Sequence, residues 1–304
     1  VQTCALPIFP LFRSPIGDLL VTPAVNLLRI AVAAANEEGE LDRETLALMK
    51  RQVDEGILAD LDPARAWTEL ARGLGSDTPS RMLWVLRHTG ALRAVLPEVD
   101  ALFGMPQSAD DPPTVDIGEH QFRVVDEAAR RRAPLALRFA ALLYNVGKSD
   151  SPPEHLPAHY RHLERGLPRI HAICDRFRVA ADFRDLAVLA LLELERVHRA
   201  AEARAGSIAA MLVRIDAFGQ PDRFLNLMTL CTCDFRAYPG RATRPYPKAP
   251  MLIHALEACL AVDDAEVTAD YEEDSEGAAN ALLEARAMAV AVALRSARWE
   301  GGGE

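Results

Sequence analysis

Imidazole and carboxylate side chains recur along the chain at spacings that could hold a divalent metal. His120 ends the segment D-I-G-E-H, Asp234 follows a C-T-C pair, and four histidines crowd residues 155–171. His159 and His162 are three residues apart, which predicts a shared helical face. Histidine and carboxylate ligands hold the metals that activate water for hydrolysis. The default interpretation of the crowded histidines is nevertheless a set of surface or partly buried side chains.

Two further motifs give weaker signals. The D-x-D motif Asp60-Leu61-Asp62 lies between two amphipathic segments without a preceding Gly-Ser turn. It therefore predicts a solvated turn and an N-cap for a helix over 63–74, not a catalytic metal site. The C-T-C spacing at 231–233 is too tight for a usual zinc site. The five cysteines predict reduced, buried thiols in a cytoplasmic protein.

Three basic segments, 123–138, 161–178 and 236–248, could face a nucleic acid. The last contains no acid, and its charged and aromatic side chains are Arg236, Tyr238, Arg241, Arg244, Tyr246 and Lys248. Lys and Arg neutralise phosphates, and aromatic rings stack on bases. We predict RNA contact by Arg236, Arg241, Arg244, Tyr246 and Lys248, with a solvated, proline-stiffened loop as the alternative. The other two segments are interpreted as solvated helix faces.

Helical periodicity dominates the chain, which predicts an all-α fold. After several helices between residues 27 and 90, we predict helices near 119–131, 135–146, 159–177, 182–204, 206–217, 221–235, 250–261 and 277–299. Gly90 is the predicted helix C-cap. Residues 104–116 are predicted to be a loop because they are rich in Pro and Asp. No β-alternation and no glycine-rich phosphate loop stands out.

Composition fits a globular protein. The 304 residues are 50% apolar and 26% charged, which excludes collagen-like and wholly disordered chains. The net charge of −10 arises mainly in residues 263–276, which hold eight acids and no base and predict an exposed linker. The net charge therefore does not exclude an anionic partner, because binding depends on the local charge of the contact surface. No run of 18 apolar residues lacks a charge, so no membrane span is predicted.

Several segments together resemble a known family. They are E-T-L-A-L-M-K-R-Q-V-D-E-G-I-L-A-D-L (44–61), 65–74, 79–107, 116–120, 135–148, 177–187, C-D-F-R-A-Y-P-G-R (233–241) and Y-P-K-A-P (246–250). They resemble the C-terminal part of the bacterial multifunctional CCA-adding tRNA nucleotidyltransferases, which carry an inserted HD domain. The resemblance runs from about Leu27 to Trp299, and the block 79–107 is its most specific part.

The resemblance implies an elongated helical neck–body–tail arrangement that grips tRNA behind a β-containing catalytic head. Its boundaries predict a helical neck and body at 27–107, an HD-type module at 108–218 and a tail at 219–304, while 1–26 is an uncertain start, suspected to be non-native, without a fold prediction. The family reaction adds C, C and A to tRNA 3′ ends from CTP and ATP with Mg²⁺. The implied partner of this chain is tRNA, in the cytoplasm; its oligomeric state is not predicted.

The family's catalytic head is expected to be absent. Its G-S-x-x-D-x-D motif, which would hold Mg²⁺, does not occur in the sequence. The base-selecting E-D-x-x-R motif falls on Thr22-Pro23 and Asn26, which cannot supply its charges. We therefore predict no catalytic residue, no cofactor for this chain, and a role for CTP and ATP only where a head is present.

The HD pattern H…H-D…D is degenerate. His120 stands at its first position, but Tyr144-Asn145 replaces the central H-D pair, and a downstream family histidine falls on Leu194. His159, His162 and Asp234 remain at matching positions. Tyrosine and an amide are poor ligands, so a divalent metal here is doubtful and a structural scaffold is predicted.

Lys148, which follows the lost H-D pair, is interpreted as a surface charge rather than a phosphate ligand. Two alternatives to tRNA binding remain. One is a residual metal-dependent phosphohydrolase, a phosphodiesterase or phosphatase, built on His120, His159, His162 and Asp234. The other is a non-catalytic helical remnant of a broken gene, with no ligand.

Overall fold

The protein is described by a computed structural model at residues 22–36, 41–271 and 274–296. Its α-helices are α1 (Pro23–Asn36), α2 (Arg43–Asp54), α3 (Pro63–Leu74), α4 (Pro79–His88), α5 (Ala91–Val95), α6 (Pro97–Asp100), α7 (Ile117–Arg130), α8 (Leu135–Leu143), α9 (His162–Phe177), α10 (Ala181–His198), α11 (Ala205–Arg214), α12 (Pro221–Ala237), α13 (Lys248–Leu260), α14 (Asp264–Thr268) and α15 (Ser275–Ser296). The all-α prediction is confirmed.

Several helix ends follow from local side-chain chemistry. The Asp62 carboxylate accepts a hydrogen bond from the Arg65 N–H at 2.9 Å, and Pro63 opens α3. This confirms the N-cap interpretation of the D-x-D motif. Asp116 caps α7 in the same way, accepting from the Glu119 N–H at 2.9 Å. Gly90 follows α4 with φ of +80°, the left-handed conformation expected just beyond a helix end.

The segment 104–116 differs from the predicted plain loop. Strands β1 (Pro106–Ser108) and β2 (Thr114–Asp116) pair antiparallel in it, with Gln107 opposite Val115. Each strand has only three residues, too few to show an alternation of apolar and polar side chains. The hairpin carries Gln107 to the edge of the candidate site described below.

The helices pack in three groups around a continuous core. α1, α3 and α4 pack together near the start of the described chain, and α7, α8, α10 and α12 form what we call the central bundle. α11 and α13 pack against α15. The region predicted as a tail from residue 219 thus contributes its first helix, α12, to the bundle formed by the preceding residues.

Two predicted irregular regions are partly helical. Of the uncertain start at 1–26, residues 1–21 lie outside the described residues, and Pro23–Asn26 form the first turn of α1. In the acidic stretch 263–276, Asp263 caps α14 by accepting from the Ala265 and Glu266 N–H groups. That stretch is therefore an exposed linker only in part; residues 272–273 are not described.

One described helix is long and apolar enough to cross a membrane by length and composition alone. This helix, α15, has a mean hydropathy of 1.3 over its most apolar window, which differs from the sequence expectation of no such span. Its inner side packs on α11 and α13, and Arg286 near its middle forms an ion pair with Asp264 at 2.8 Å. These contacts are those of a surface helix of a packed protein.

The four described cysteines are free and buried, as predicted: Cys174, Cys231, Cys233 and Cys259. Burial raises the thiol pKa of Cys174 and Cys259 to about 11 and that of Cys233 to about 12. It also raises the thiol pKa of Cys231 well above its ordinary value. Cys4 lies outside the described residues.

We expect these four thiols to be inert in the folded protein because they are both inaccessible and protonated. A Cys4→Ser variant treated with Ellman's reagent at pH 8 should release almost no chromophore until guanidinium chloride is added, and then four equivalents. Rapid release of one or more equivalents without denaturant would contradict this expectation.

Candidate functional site

A buried carboxylate at the middle of the central bundle collects three hydrogen-bond donors. Asp234 Oδ1 lies 2.8 Å from His120 Nε2 and 2.6 Å from the Tyr144 hydroxyl, and Oδ2 lies 2.8 Å from His198 Nε2. His120 is fully buried, and Tyr144 and Asp234 are nearly so. We call these four residues the Asp234 centre.

Each member of the Asp234 centre comes from a different helix. His120 lies on the inner face of α7, Tyr144 caps the end of α8, His198 is the last residue of α10, and Asp234 lies in the last turns of α12. The apolar faces of these helices form the bundle core, so polar groups placed on the same faces are driven together inside it.

Electrostatics fix the charge of the carboxylate. Burial alone would raise the pKa of Asp234, but the hydrogen bonds from His120 and His198 outweigh it and hold that pKa well below its usual value. Burial and the neighbouring Asp234 raise the pKa of Tyr144, so its hydroxyl stays protonated and donates. The centre is therefore a buried anion held by neutral and imidazole donors.

The network extends from His198 to the tail. The Tyr246 hydroxyl lies 2.7 Å from His198 Nδ1, and Lys248 donates to the His198 carbonyl. A single neutral tautomer of His198 satisfies both ring contacts, since its Nε2–H donates to Asp234 and its Nδ1 accepts from Tyr246. The ring of Tyr238 packs on that of His120 at 4.2 Å between centroids.

This geometry does not fit a divalent cation. The Tyr144 hydroxyl and the two imidazoles contact Asp234 directly, at hydrogen-bond distances that leave no gap between the groups for an ion. The Asn145 amide points away and donates to Gln121 Oε1 at 2.9 Å. In the part of the chain that the structure describes, no cluster of three or more His, Cys, Asp or Glu side chains has the arrangement of a metal site.

His198 was missed by the sequence analysis, which assigned the downstream histidine position to Leu194. Leu194 is a buried core residue, while His198, one turn further along α10, reaches Asp234. Residues four apart share a helix face, so the signal was a histidine at i+4 from the assigned position.

The crowded histidines are exposed or partly buried, as the default interpretation has it, but the shared helical face predicted for His159 and His162 is wrong. His159 precedes α9 and does not share a helix with His162; its ring nitrogens contact Ser151 Oγ and the Pro106 carbonyl at 2.8 and 2.9 Å. Burial and Lys148 lower the pKa of His162, whose Nε2 lies 3.4 Å from Glu195.

The surface-charge interpretation of Lys148 is wrong. Its side chain is buried, and its ammonium group donates to Gln107 Oε1 at 2.8 Å and pairs with Glu195 at 3.3 Å. The turn at 146–148 thus holds a buried ammonium group, paired with the partly exposed Glu195 carboxylate, in place of an exposed cation.

The predicted RNA-contact residues fall into two sets. Tyr246 is only 6% exposed, and its ring packs against that of Phe235. The Lys248 ammonium group donates to the His198 carbonyl. Arg241 forms an ion pair with Asp110 and lowers the pKa of the Asp110 carboxyl. The structure leaves the guanidinium groups of Arg236 and Arg244 without a carboxylate partner among the described residues; Arg236 Nε donates to the Arg244 carbonyl at 3.2 Å. The RNA role of the five residues stays a prediction.

Two open cavities flank the Asp234 centre. One, of about 840 Å³, lies between the β-hairpin, the 238–248 loop and α13; the other, of about 730 Å³, is lined by Lys148, His159, His162 and Arg199. Both reach His198 and Asp234. Each is large enough for a nucleotide-sized ligand.

Comparison of the sequence with known proteins identifies its family. The family model described as "Probable RNA and SrmB-binding site of polymerase A" matches residues 40–103, which contain α2 to α6, so this part of the chain is similar to an RNA-binding region. The multifunctional CCA protein of Burkholderia cenocepacia is 42% identical to this chain, over 92% of this chain and 68% of its own length. That of Chromobacterium violaceum is also 42% identical, over 84% of this chain and 62% of its own length. That of Nitrosospira multiformis is 43% identical over 82% of this chain and 60% of its own length. The chain therefore belongs to the multifunctional CCA protein family.

Proposed function

We propose that this chain binds tRNA, as the part of a CCA-adding nucleotidyltransferase that grips the RNA. The observation that carries the proposal is the RNA-binding family match over 40–103, in a chain that belongs to the multifunctional CCA protein family. Phosphate contacts supply most of the affinity of such binding. The proposal therefore depends on exposed cations without an intramolecular partner.

Within the matched region, the structure separates neutralised arginines from available ones. Arg72 and Arg87 pair with Glu69 and Asp100. Arg43, Arg51 and Arg93 are exposed, and none has a carboxylate partner among the described residues. These three arginines are the candidate phosphate contacts of the region.

Arg236 and Arg244 form a second candidate contact, outside the matched region. Their guanidinium groups are not used by carboxylates of the described residues, unlike that of Arg241. The buried Tyr246 anchors this loop through its hydrogen bond to His198. We therefore propose that Tyr246 does not stack on a base.

Nucleotidyl transfer itself is not proposed for these residues. The D-x-D motif caps α3, and the other described carboxylates do not form the metal-holding cluster that the reaction needs. CTP, ATP and Mg²⁺ enter the proposal only for a protein that also carries those carboxylates.

The central bundle is proposed to be a metal-free HD-type module. The support is the direct contact of Tyr144 and both imidazoles with Asp234. We place the protein in the cytoplasm, since its buried free thiols fit a reducing compartment.

The test is binding of a fluorescent tRNA that lacks its CCA end, measured by anisotropy between about 50 and 300 mM salt. Affinity should fall steeply as salt rises. Arg43→Ala combined with Arg51→Ala should weaken binding and reduce the slope of log affinity against log salt by about one for each phosphate that is no longer neutralised. Arg236→Ala combined with Arg244→Ala tests the second candidate contact.

A matched control removes two charges elsewhere, through Arg184→Ala and Arg204→Ala, and should leave the affinity almost unchanged. Binding that does not respond to salt would contradict the proposal. Absence of binding by a folded protein would favour the ligand-free remnant. Hydrolysis of a cyclic nucleotide above that of an Asp234→Asn variant would favour the phosphohydrolase.

A further inference from the structure

The basic segment 123–138 is neutralised by its own contacts except at one residue. Its other arginines are engaged by carboxylates or by backbone carbonyls: Arg123 by Glu119, Arg130 and Arg131 by Glu127, and Arg138 by three carbonyl oxygens. Arg132 is exposed, and its guanidinium group has no hydrogen-bond or ion-pair partner among the described residues. This segment therefore offers one available cation.

The basic segment 161–178 has the same arrangement. Its paired arginines are Arg161 with Glu164, Arg165 and Arg169 with Asp150, and Arg176 with Glu98. Arg178 is exposed, and its guanidinium group likewise contacts no carboxylate in the part of the chain that the structure describes. Each of the two segments thus leaves one guanidinium group available to an external anion.

Both available arginines have a left-handed backbone at the end of a helix. Arg132 follows α7 with φ of +54°, and Arg178 follows α9 with φ of +53°. The N–H of each bonds the carbonyl three residues earlier, at 2.8 and 3.3 Å, and the next N–H bonds the carbonyl five residues before it, at 3.0 and 2.9 Å. This is the Schellman pattern, whose left-handed residue is usually glycine because a Cβ atom is unfavourable there.

The end of α11 shows how a side chain can compensate for the same backbone. Asp216 makes the same two kinds of bond with φ of +54°, and its carboxylate accepts from the Gly219 N–H at 3.2 Å and from the Gln220 amide at 2.9 Å. Aspartate is also among the residues that adopt this conformation most readily. Arg132 and Arg178 have neither advantage, so no contact within the described chain offsets the strain of their backbones.

Helix electrostatics do not account for the two arginines either. A cation near a helix C-terminus is favourable. However, Arg130 and Arg176 already occupy the last turns of α7 and α9, where the backbone is helical and unstrained. Strained residues whose side chains have no partner in the fold point to a contact outside it.

Both arginines lie beside the matched region 40–103. The carbonyl next to Arg132 and the carbonyl of Leu74, in the matched region, both accept hydrogen bonds from Arg138, each at 3.0 Å. Near Arg178, the preceding arginine of α9 donates to Glu98, also in the matched region, at 2.8 Å. The ends of α7 and α9 therefore adjoin that region.

We propose that Arg132 and Arg178 contact phosphates of the tRNA, so that the ends of α7 and α9 continue the RNA-binding surface of the matched region. The inference rests on the proposed function and adds to it a contact from the central bundle. An exposed, unpaired guanidinium group presents a planar set of donors that fits a phosphate group. Formation of each contact also releases counterions from the RNA, which favours binding.

Anisotropy of a fluorescent tRNA without its CCA end, at about 100 mM salt and over a salt series, tests the inference. Arg132→Gly and Arg178→Gly should each weaken binding about fivefold or more and reduce the slope of log affinity against log salt by about one. Glycine adopts the left-handed conformation freely, so both variants should keep or raise the urea midpoint of unfolding. Loss of affinity with undiminished stability separates a phosphate contact from a structural role. Arg132→Lys and Arg178→Lys, which keep the charge, should recover most of the affinity.

Arg161→Gly is the matched control. Arg161 also has a left-handed backbone, with φ of +58°, but its guanidinium group is paired with Glu164. The substitution removes the same charge from the chain and should leave both the affinity and the salt slope unchanged.

Three outcomes would overturn the inference. If Arg132→Gly and Arg178→Gly bind tRNA as tightly as the wild type, the inference fails and the proposed function stands. An equal loss of affinity in Arg161→Gly would show that net charge alone is measured, and would again leave the proposed function intact. A wild-type chain that binds no tRNA would overturn the proposed function and this inference together.

Discussion

Replacing Gly147 with alanine is expected to lower the free energy of unfolding by more than about 4 kcal/mol. A Cβ atom at this position would lie 1.9 Å from the His162 carbonyl oxygen and 2.7 Å from the Gly166 nitrogen. Both obstacles are backbone atoms in the first turns of α9, which cannot rotate away as a side chain would. The variant can fold only by separating α9 from the turn at 146–148.

The close approach at Gly147 is itself supported by arginines of α9. Arg165 Nε donates to the Gly147 carbonyl at 3.0 Å, and Arg169 donates to the Val146 carbonyl at 2.8 Å. These carbonyls belong to the turn at 146–148, and that of Val146 also accepts from Ser149 Oγ at 3.1 Å. Separating the two elements would remove the Arg165 donor from the Gly147 carbonyl, which adds to the cost of the clash.

Urea unfolding followed by circular dichroism measures the effect. Gly206→Ala is the matched control, because Gly206 is helical and its added Cβ would meet only the Ala287 Cβ, at an ordinary 3.9 Å. It should be neutral or stabilising by up to about 1 kcal/mol. A Gly147→Ala variant as stable as the wild type would show that α9 does not pack this closely.

Much of the fold follows from periodicity alone. The helix predicted near 221–235 occurs as α12, and that predicted near 182–204 occurs as α10, which ends six residues earlier. Apolar spacing and caps such as Asp62 are local features, so they can be read without tertiary information. The hairpin at 106–116 was missed because three-residue strands depend on their neighbours more than on their own pattern.

The candidate site depended on contacts that sequence spacing does not contain. His120 and Asp234 are 114 positions apart, and only the packing of α7 against α12 brings them together. The resemblance singled out both residues, but not their direct contact. His198 and Tyr246 were not assigned to the centre, because their role depends on which turn of α10 faces α12 and on how the tail loop folds back.

The burial of Lys148 likewise depends on contacts between distant elements. In sequence, a lysine in V-G-K beside a turn is indistinguishable from a solvated cation. Its burial depends on Glu195, on α10, and on Gln107, on the hairpin, which together satisfy the ammonium group. Buried charges are tolerated where such partners converge, and convergence is a property of the fold.

Replacing Asp234 with alanine is expected to destabilise the protein by about 3–5 kcal/mol. The carboxylate is the single acceptor for His120, Tyr144 and the Nε2 of His198. Its removal leaves the donors of His120 and Tyr144 buried without a partner, and that of the partly exposed His198 without its acceptor. The cost of a buried unsatisfied donor exceeds the gain from a made hydrogen bond. Tyr144→Phe, which keeps the ring and removes one donor, should cost only about 1 kcal/mol.

Unfolding in urea, with and without EDTA, separates a hydrogen-bonded centre from a metal-bound one. Asp54→Ala is the control, because Asp54 forms an exposed pair with Lys50 at 3.2 Å, and its removal should cost less than about 1 kcal/mol. In the proposed metal-free centre the wild-type midpoint does not respond to the chelator, because Tyr144 and the two imidazoles already take the contacts a cation would need. A midpoint that falls with EDTA and recovers with added Zn²⁺ would place a metal at Asp234, since ligand binding to the folded state alone raises its stability.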